Sequence, residues 1–309
     1  MTMTATPSGT VPTTAPPTPP ERPRRGNRPA RIALHIFLAF TALSFLAPLL
    51  WTVYTSLRPY SDTAEHGYFS LPRKLGFENY ADAWNQAELM HYYGNTLLVT
   101  LPTLLLVLFL SSFVAYAVSR YSWRGNIALL ILFTAGNLLP PQAMLTPLYR
   151  MYNEIPLPES MSDSLVVYDS YWGIIAIHVA FQMGFCTFVL SNYMKTIPHE
   201  LTEAAIVDGA SVFRQYWQVI LPLCRPPLAA LATLEFTWVY NDFLWALVLM
   251  QTGDKRPITS ALGNLQGVYF TNNNLIAAAS LLAAIPTLVV YFALQRQFIG
   301  GLTLGASKG

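Results

Sequence analysis

Six apolar stretches set the pattern of the chain, at approximately 32–57, 94–119, 126–149, 171–194, 227–250 and 275–294. Each approaches or exceeds the roughly 20 residues a helix needs to cross a hydrocarbon core about 30 Å thick. The run from Gly94 to Ser119 carries no charge. Pro48, Pro102, Pro140, Pro141 and Pro286 fall inside these runs. Membrane helices tolerate them, because neighbouring groups re-satisfy the freed backbone. The pattern predicts an all-α membrane protein with six transmembrane helices.

Composition agrees. Of 309 residues 53% are hydrophobic and 11% charged, against about 25% charged in an average soluble domain. Mean hydropathy is +0.37. Residues 1–30 differ: they hold eight of the 23 prolines, many threonines and few large apolar residues. Such a segment buries too little surface to order itself, so a disordered tail is expected there, with the transmembrane domain over 31–309. The apolar run after it is too long for a signal peptide. Cys186 and Cys224 stand in no metal or disulfide spacing.

Charge sets the orientation. With the N-terminus inside, twelve cations fall inside, among them Arg22 to Arg31, Arg120, Arg124, Lys195, Arg214, Arg225 and Arg296. Six fall outside: Arg58, Arg73, Lys74, Arg150, Lys255 and Arg256. The bias places both termini in the cytoplasm, together with the loop between the fourth and fifth spans. The outside loops at 58–93 and 150–170 are long enough to hold short helices or meet a partner.

That cytoplasmic loop contains EAAIVDGASVFRQYWQVILPL at 203–223. A short helix is expected from Pro198, which suits a first helical position, with Glu200 and Glu203 at the dipole's positive end. Ala204 and Ala205 lack bulk, so another surface can approach. Asp208-Gly209 ends the helix, Gly209 taking the left-handed conformation. Ser211 starts a second helix on which Phe213, Tyr216, Trp217 and Ile220 make one apolar face. The residues alone allow two readings: an interfacial helix with its aromatics in lipid headgroups, or a docking surface.

EAAIVDGA followed by VILPL resembles the EAA signature of ABC importer permeases. YNDFLWAL at 240–247 resembles the WNDFLWPL of the maltose-type second permease, with Tyr240 and Ala246 as departures, and the closing GLTLGASKG resembles that branch's GLTAGAVKG. The resemblance covers about 31–309. It implies a type I importer permease fold in the bacterial plasma membrane, with a cytoplasmic coupling helix between spans four and five. It also implies a second permease subunit, two ATP-binding subunits and an extracytoplasmic sugar-binding protein as partners. Glu203, Ala204, Ala205, Asp208, Gly209, Ala210 and Phe213 would then meet the ATPase, with the tail GASKG as a further contact. The chain contains no GxxxxGK[ST], so ATP belongs to the partner subunits. No cofactor or catalytic residue is expected in this chain.

Intramembrane charges usually face a protein interior or an aqueous cavity. Glu235, Trp238, Asp242 and Trp245 recur at 3–4 residue spacing in the fifth span, which predicts one stripe of carboxyls and indoles, with Asn241 beside it. Such a stripe suits a sugar, whose hydroxyls bond carboxyls and whose C–H face covers an aromatic ring. The alternative is a polar seam against the partner permease. His178 and Gln182, four apart in the fourth span, allow two readings, a place facing the same cavity or an interhelical hydrogen bond, and the hydrogen bond is the expected one. A permease for amino acids or peptides would share the loop without the other two motifs. A stand-alone secondary transporter would show paired repeats or an ion-coupling cluster, and an intramembrane enzyme a nucleophile–base or metal set. None is evident in the sequence.

Overall fold

A computed structural model describes residues 28–86, 88–265 and 271–303. The predicted tail lies outside the described residues up to position 27, as does the closing 304–309. The chain divides into two compact units, 1–49 and 50–309. The first helix, α1 (Arg28–Ser56), runs through that division. In the first unit Ile36, Phe37, Phe40 and Phe45 are all exposed, as expected of a helix surrounded by lipid.

In the second unit α2 (Tyr60–His66) and α3 (Glu78–Gln86) fill the predicted outer loop. Next comes α4 (Leu89–Arg120), 32 residues long and hence about 48 Å at 1.5 Å per residue, so its ends outreach a bilayer core. The third apolar stretch is not one helix. It forms α5 (Asn126–Gly136) and α6 (Pro141–Glu154), inclined at 95°. Pro140 precedes Pro141 and takes an extended backbone, φ −66°, ψ 124°. A following proline disfavours the helical region, while Pro141 itself fits the first turn of α6.

A straight helix follows, α7 (Tyr171–Met194), which Ser170 caps by accepting from the Gly173 N–H at 3.1 Å. Gly184 lets α5 approach it, since a Cβ there would collide with the Phe133 carbonyl. Small residues at such crossings are how membrane helices pack closely. The loop forms α8 (Glu200–Val207), α9 (Val212–Arg214), a wide π turn over Gln215–Ile220 and α10 (Leu221–Leu223). Then α11 (Arg225–Tyr240) leaves at 75°. The rest is α12 (Leu244–Leu249), α13 (Ile258–Ala261) and α14 (Asn273–Thr303). An isolated antiparallel bridge joins Pro156 and Val166.

Among the described residues four helices, α1, α4, α7 and α14, are long and apolar enough to span, or up to six spans if each bent pair counts as one. The predicted third span is one of the bent pairs, α5 with α6; the other joins the loop segment Val212–Leu223 to α11, and the predicted fifth span, 227–250, is divided between α11 and α12. Three buried clusters hold the second unit. One joins Tyr116 of α4, Leu190 and Met194 of α7, and Tyr216 and Ile220 of the π turn. A second joins Ile174 and Ile177 to Trp245 and Leu249. The third packs Phe236 and Tyr240 on Ala278, Ala279 and Ala283 of α14.

A polar knot closes the C-terminal end of α1. Arg58 is fully buried, donates to Asp62 Oδ2 (Nε, 2.9 Å) and to the Tyr68 and Ser70 carbonyls (3.1 Å each), and lies over the Tyr54 ring. Its own carbonyl accepts from Asn79 (2.7 Å) and Asn274 (2.9 Å). The Arg58 hydrogen bond holds the Asp62 carboxyl below the usual carboxylate range, with the charge of Arg58 adding to it against partial burial.

Candidate functional site

The predicted helix–turn–helix is present and tightly closed. Glu200 and Glu203 occupy the first turn of α8. At its end Gly209 has φ +75°. The Ala210 N–H bonds the Ala205 carbonyl and the Gly209 N–H the Ile206 carbonyl, both at 2.9 Å. This is a Schellman closure, which needs a left-handed residue where Gly209 stands. Ser211 then caps α9, accepting from the Arg214 N–H at 3.4 Å. Gln215 ties the turn down, its Nε2 donating to the Ala210 carbonyl at 2.8 Å.

Of the predicted docking residues, Glu203, Ala204, Asp208, Gly209 and Phe213 are exposed and Ala210 is half-buried. Ala205 is buried: it packs α8 onto the protein, and only Ala204 offers the small outward surface expected of both. The single aromatic face also divides. Tyr216 and Ile220, four apart, turn inward, whereas Phe213 and Trp217 are 63% and 49% exposed. The outward pair is stacked, ring centroids 6.2 Å apart at 8°. Ile206 and Val207 of α8 are exposed as well, so both helices of the loop carry exposed apolar side chains, with Glu203 and Asp208 exposed on the same loop.

The stripe of the fifth span is corrected by a break in the helix. α11 ends at Tyr240 and α12 begins at Leu244, so Trp245 and Asp242 do not continue the face of Glu235 and Trp238. Asp242 is the reason: its carboxylate accepts from the Trp245 and Ala246 N–H groups (3.3 and 3.1 Å) and so starts α12. Thr259 donates to the Asp242 carbonyl. Trp245 is buried against Phe181. Glu235 is fully buried and accepts from Cys186 Sγ of α7 at 3.1 Å, while its Oε2 has no partner among the described residues. Trp238 is 44% exposed beside Phe185, and Asn241 is exposed, bonded to the Thr237 carbonyl and Thr287. Of the predicted stripe, Trp238 and Asn241 are the exposed members.

His178 is buried with Nε2 at 3.5 Å from Asp242 Oδ2, an approach between elements rather than a formed hydrogen bond. Sequence reading missed Cys186 as the partner of Glu235, because nothing local to either residue announces the other. It also missed the capping role of Asp242, although Asn-Asp after an aromatic run is a turn signal. Among the described residues no group of three or more His, Cys, Asp and Glu side chains is placed to hold a metal.

Long apolar helices, a closed helix–turn–helix between α7 and α11 and a break after α11 describe a membrane-spanning protein. The chain belongs to the family of binding-protein-dependent transport system inner membrane components, whose model matches residues 95–302. It is 30% identical over 276 residues to the diacetylchitobiose uptake system permease protein NgcG of Streptomyces coelicolor, covering 89% of this chain and 88% of that protein. It is 30% identical over 272 residues to the melibiose/raffinose/stachyose import permease protein MelC of Bacillus subtilis, covering 88% and 94%. Its fold matches a chain of a bacterial ABC transporter involved in import of the acidic polysaccharide alginate, with TM-score 0.74, 22% identity and coverage of 90% and 99%.

Proposed function

We propose that this chain is a permease subunit of an ATP-driven, binding-protein-dependent importer of neutral oligosaccharides. One observation carries the mechanism: the Schellman-closed turn at Gly209 holds α8 and the Phe213–Trp217 pair as one outward surface between two spans.

In this reading the chain crosses the membrane six times with both termini inside, α5 with α6 making the third crossing and α11 with α12 the fifth. α8 is the coupling helix. Glu203, Ala204, Asp208, Gly209, Ala210 and Phe213 meet a separate ATPase subunit, with Ala205 seating the helix from behind. ATP is bound and hydrolysed by two such subunits. A second permease completes the pathway and an external sugar-binding protein delivers the solute. Trp238 and Asn241 face that pathway, the indole covering a sugar's C–H face and the amide bonding hydroxyls. Glu235, Asp242 and Trp245 hold the wall behind them. The sugar class rests on the relatives, two of which are named for neutral oligosaccharides.

The test is to purify the assembly through a tag on this chain and measure ATP hydrolysis with the external binding protein and neutral oligosaccharides, melibiose and raffinose first. An ATPase that co-purifies, is stimulated by sugar-loaded binding protein, and loses that stimulation in Glu203→Lys with Gly209→Val supports the reading. A chain that purifies without an ATPase in mild detergent overturns it.

A further inference from the structure

Three polar residues of α4 stand at one-turn intervals, Ser112, Tyr116 and Arg120. Residues four apart share a helix face, and each of these reaches the loop. The Ser112 and Tyr216 hydroxyls share a hydrogen bond of 2.8 Å. The Tyr116 hydroxyl lies 3.5 Å from Gln215 Oε1, and its ring packs on Tyr216 at 5.3 Å. Arg120 Nη1 donates to the Ile197 carbonyl at 3.1 Å.

The ladder grips both limbs of the loop. Ile197 lies where the chain leaves α7 for α8. Gln215 and Tyr216 lie where it leaves α9, and the amide of Gln215 continues to the Ala210 carbonyl at the Gly209 turn. A path of direct contacts therefore runs from the end of α8 through Gln215 to Tyr116. Ser112, Tyr116, Gln215 and Tyr216 are buried or nearly so, and polar contacts out of water are held more firmly than exposed ones.

Arg120 carries a second sign. Its Nε and Nη2 are buried and have no partner among the described residues. Buried guanidinium donors without acceptors are costly. A displaced loop that offered them carbonyls would be stabilised relative to this one, which is the requirement for an element with two discrete positions.

We propose that Ser112, Tyr116 and Arg120 are positioning residues that transmit displacement of α8 to α4. The proposal rests on the coupling reading of α8 given above. Rigid contact at both limbs makes the loop and the inner half of α4 move together, so that closure of the ATPase tilts a span and does not merely flex a connection.

The experiment uses the complete assembly in proteoliposomes, reading sugar transported per ATP hydrolysed, with the best-stimulating sugar of the panel. Tyr116→Phe, Ser112→Ala and Arg120→Met each remove one rung. The expected result is that the ATPase still co-purifies while sugar per ATP falls about three- to tenfold, the range of one lost hydrogen bond. Arg120→Lys, which keeps a cation for the Ile197 carbonyl, restores most of the ratio. Tyr116→Phe combined with Gln215→Leu costs less than the two effects added, because both interrupt one path. An unchanged ratio in all three variants overturns the ladder. So does loss of the ATPase from these variants alone, which would make the rungs elements of folding only. Absence of an ATPase from the wild-type assembly would instead remove the coupling reading itself, so the two failures are told apart.

Discussion

Glu235 of α11 and Cys186 of α7 meet at 3.1 Å in the interior, the thiol donating to one carboxyl oxygen while the other has no partner among the described residues. They join the helix that enters the loop to the helix that leaves it. A buried acid with one donor is sensitive to that donor's identity. Cys186→Val should lower the thermal midpoint of the purified assembly by the equivalent of about 1–3 kcal/mol, the cost of an acceptor left without its bond. Cys186→Ser should cost less. Adding Glu235→Leu to Cys186→Val should recover part of the loss, since no polar group then remains unpaired. A midpoint insensitive to Cys186→Val would show that the contact carries no stability.

Gly209 sits at φ +75° with nothing within 4 Å of a built Cβ. The cost of a side chain there is one of backbone conformation and not of collision. Gly209→Val should cost about 1–2 kcal/mol in the turn and reduce sugar-stimulated ATP hydrolysis. Gly209→Asn should be milder, because Asn enters the left-handed region more readily. Equal losses from the two would mean that bulk against a partner, and not φ, decides.

Asp242 and Trp238 separate structure from pathway. Asp242→Ala should destabilise the start of α12 by about 0.5–2 kcal/mol, seen as a lower thermal midpoint, while Asp242→Ser keeps an acceptor and most of the stability. The apparent KM for sugar should be unmoved in Asp242→Ser.

Trp238→Ala should act the opposite way. It should raise that KM about two- to tenfold, the loss of an aromatic contact worth 0.5–1.5 kcal/mol, with little change in midpoint. A KM unaffected by Trp238→Ala would remove the indole from the route of the solute.

The Arg58–Asp62 pair gives a pH dependence. The Asp62 carboxyl is held below its ordinary value by the hydrogen bond from Arg58. Stability from a lowered carboxyl is complete above its unfolded value, about pH 4, and is lost as pH falls through the lowered one. The midpoint of wild type should therefore exceed that of Asp62→Asn near neutrality, and the gap should close in acid below about pH 4. A gap that persists there would show that the pair acts through packing and not through charge.

Where sequence was readable, the signal was local. The Asp208-Gly209 stop and Ser211 start follow from residues whose preferences act over a single turn, and the structure keeps both. The long runs of α4 and α7 read correctly because hydropathy over twenty residues needs no knowledge of neighbours. The third stretch read as a span, yet Pro140-Pro141 bends it by 95°, and only the lack of an acceptable helical conformation before Pro141 could have said so. Arg58 read as one outer cation among six. Its own carbonyl is tied to Asn79 and to Asn274, the latter 216 positions away, and no local pattern contains that. The fifth-span stripe failed for a related reason: periodicity assumes an unbroken helix, and Asp242 breaks it by capping the next one.

The π turn over Gln215–Ile220 sets a tolerance for insertions and deletions. Its wide i→i+5 closure is what a helix becomes when it accommodates one residue more than an α turn holds. Deleting a single residue there would let the turn relax to α geometry and leave α11 close to its present direction, whereas the same deletion in an unbroken α turn would rotate everything after it by about 100°. The segment between Ser211 and Pro222 therefore holds a spare residue, and the shortening it can absorb is one position.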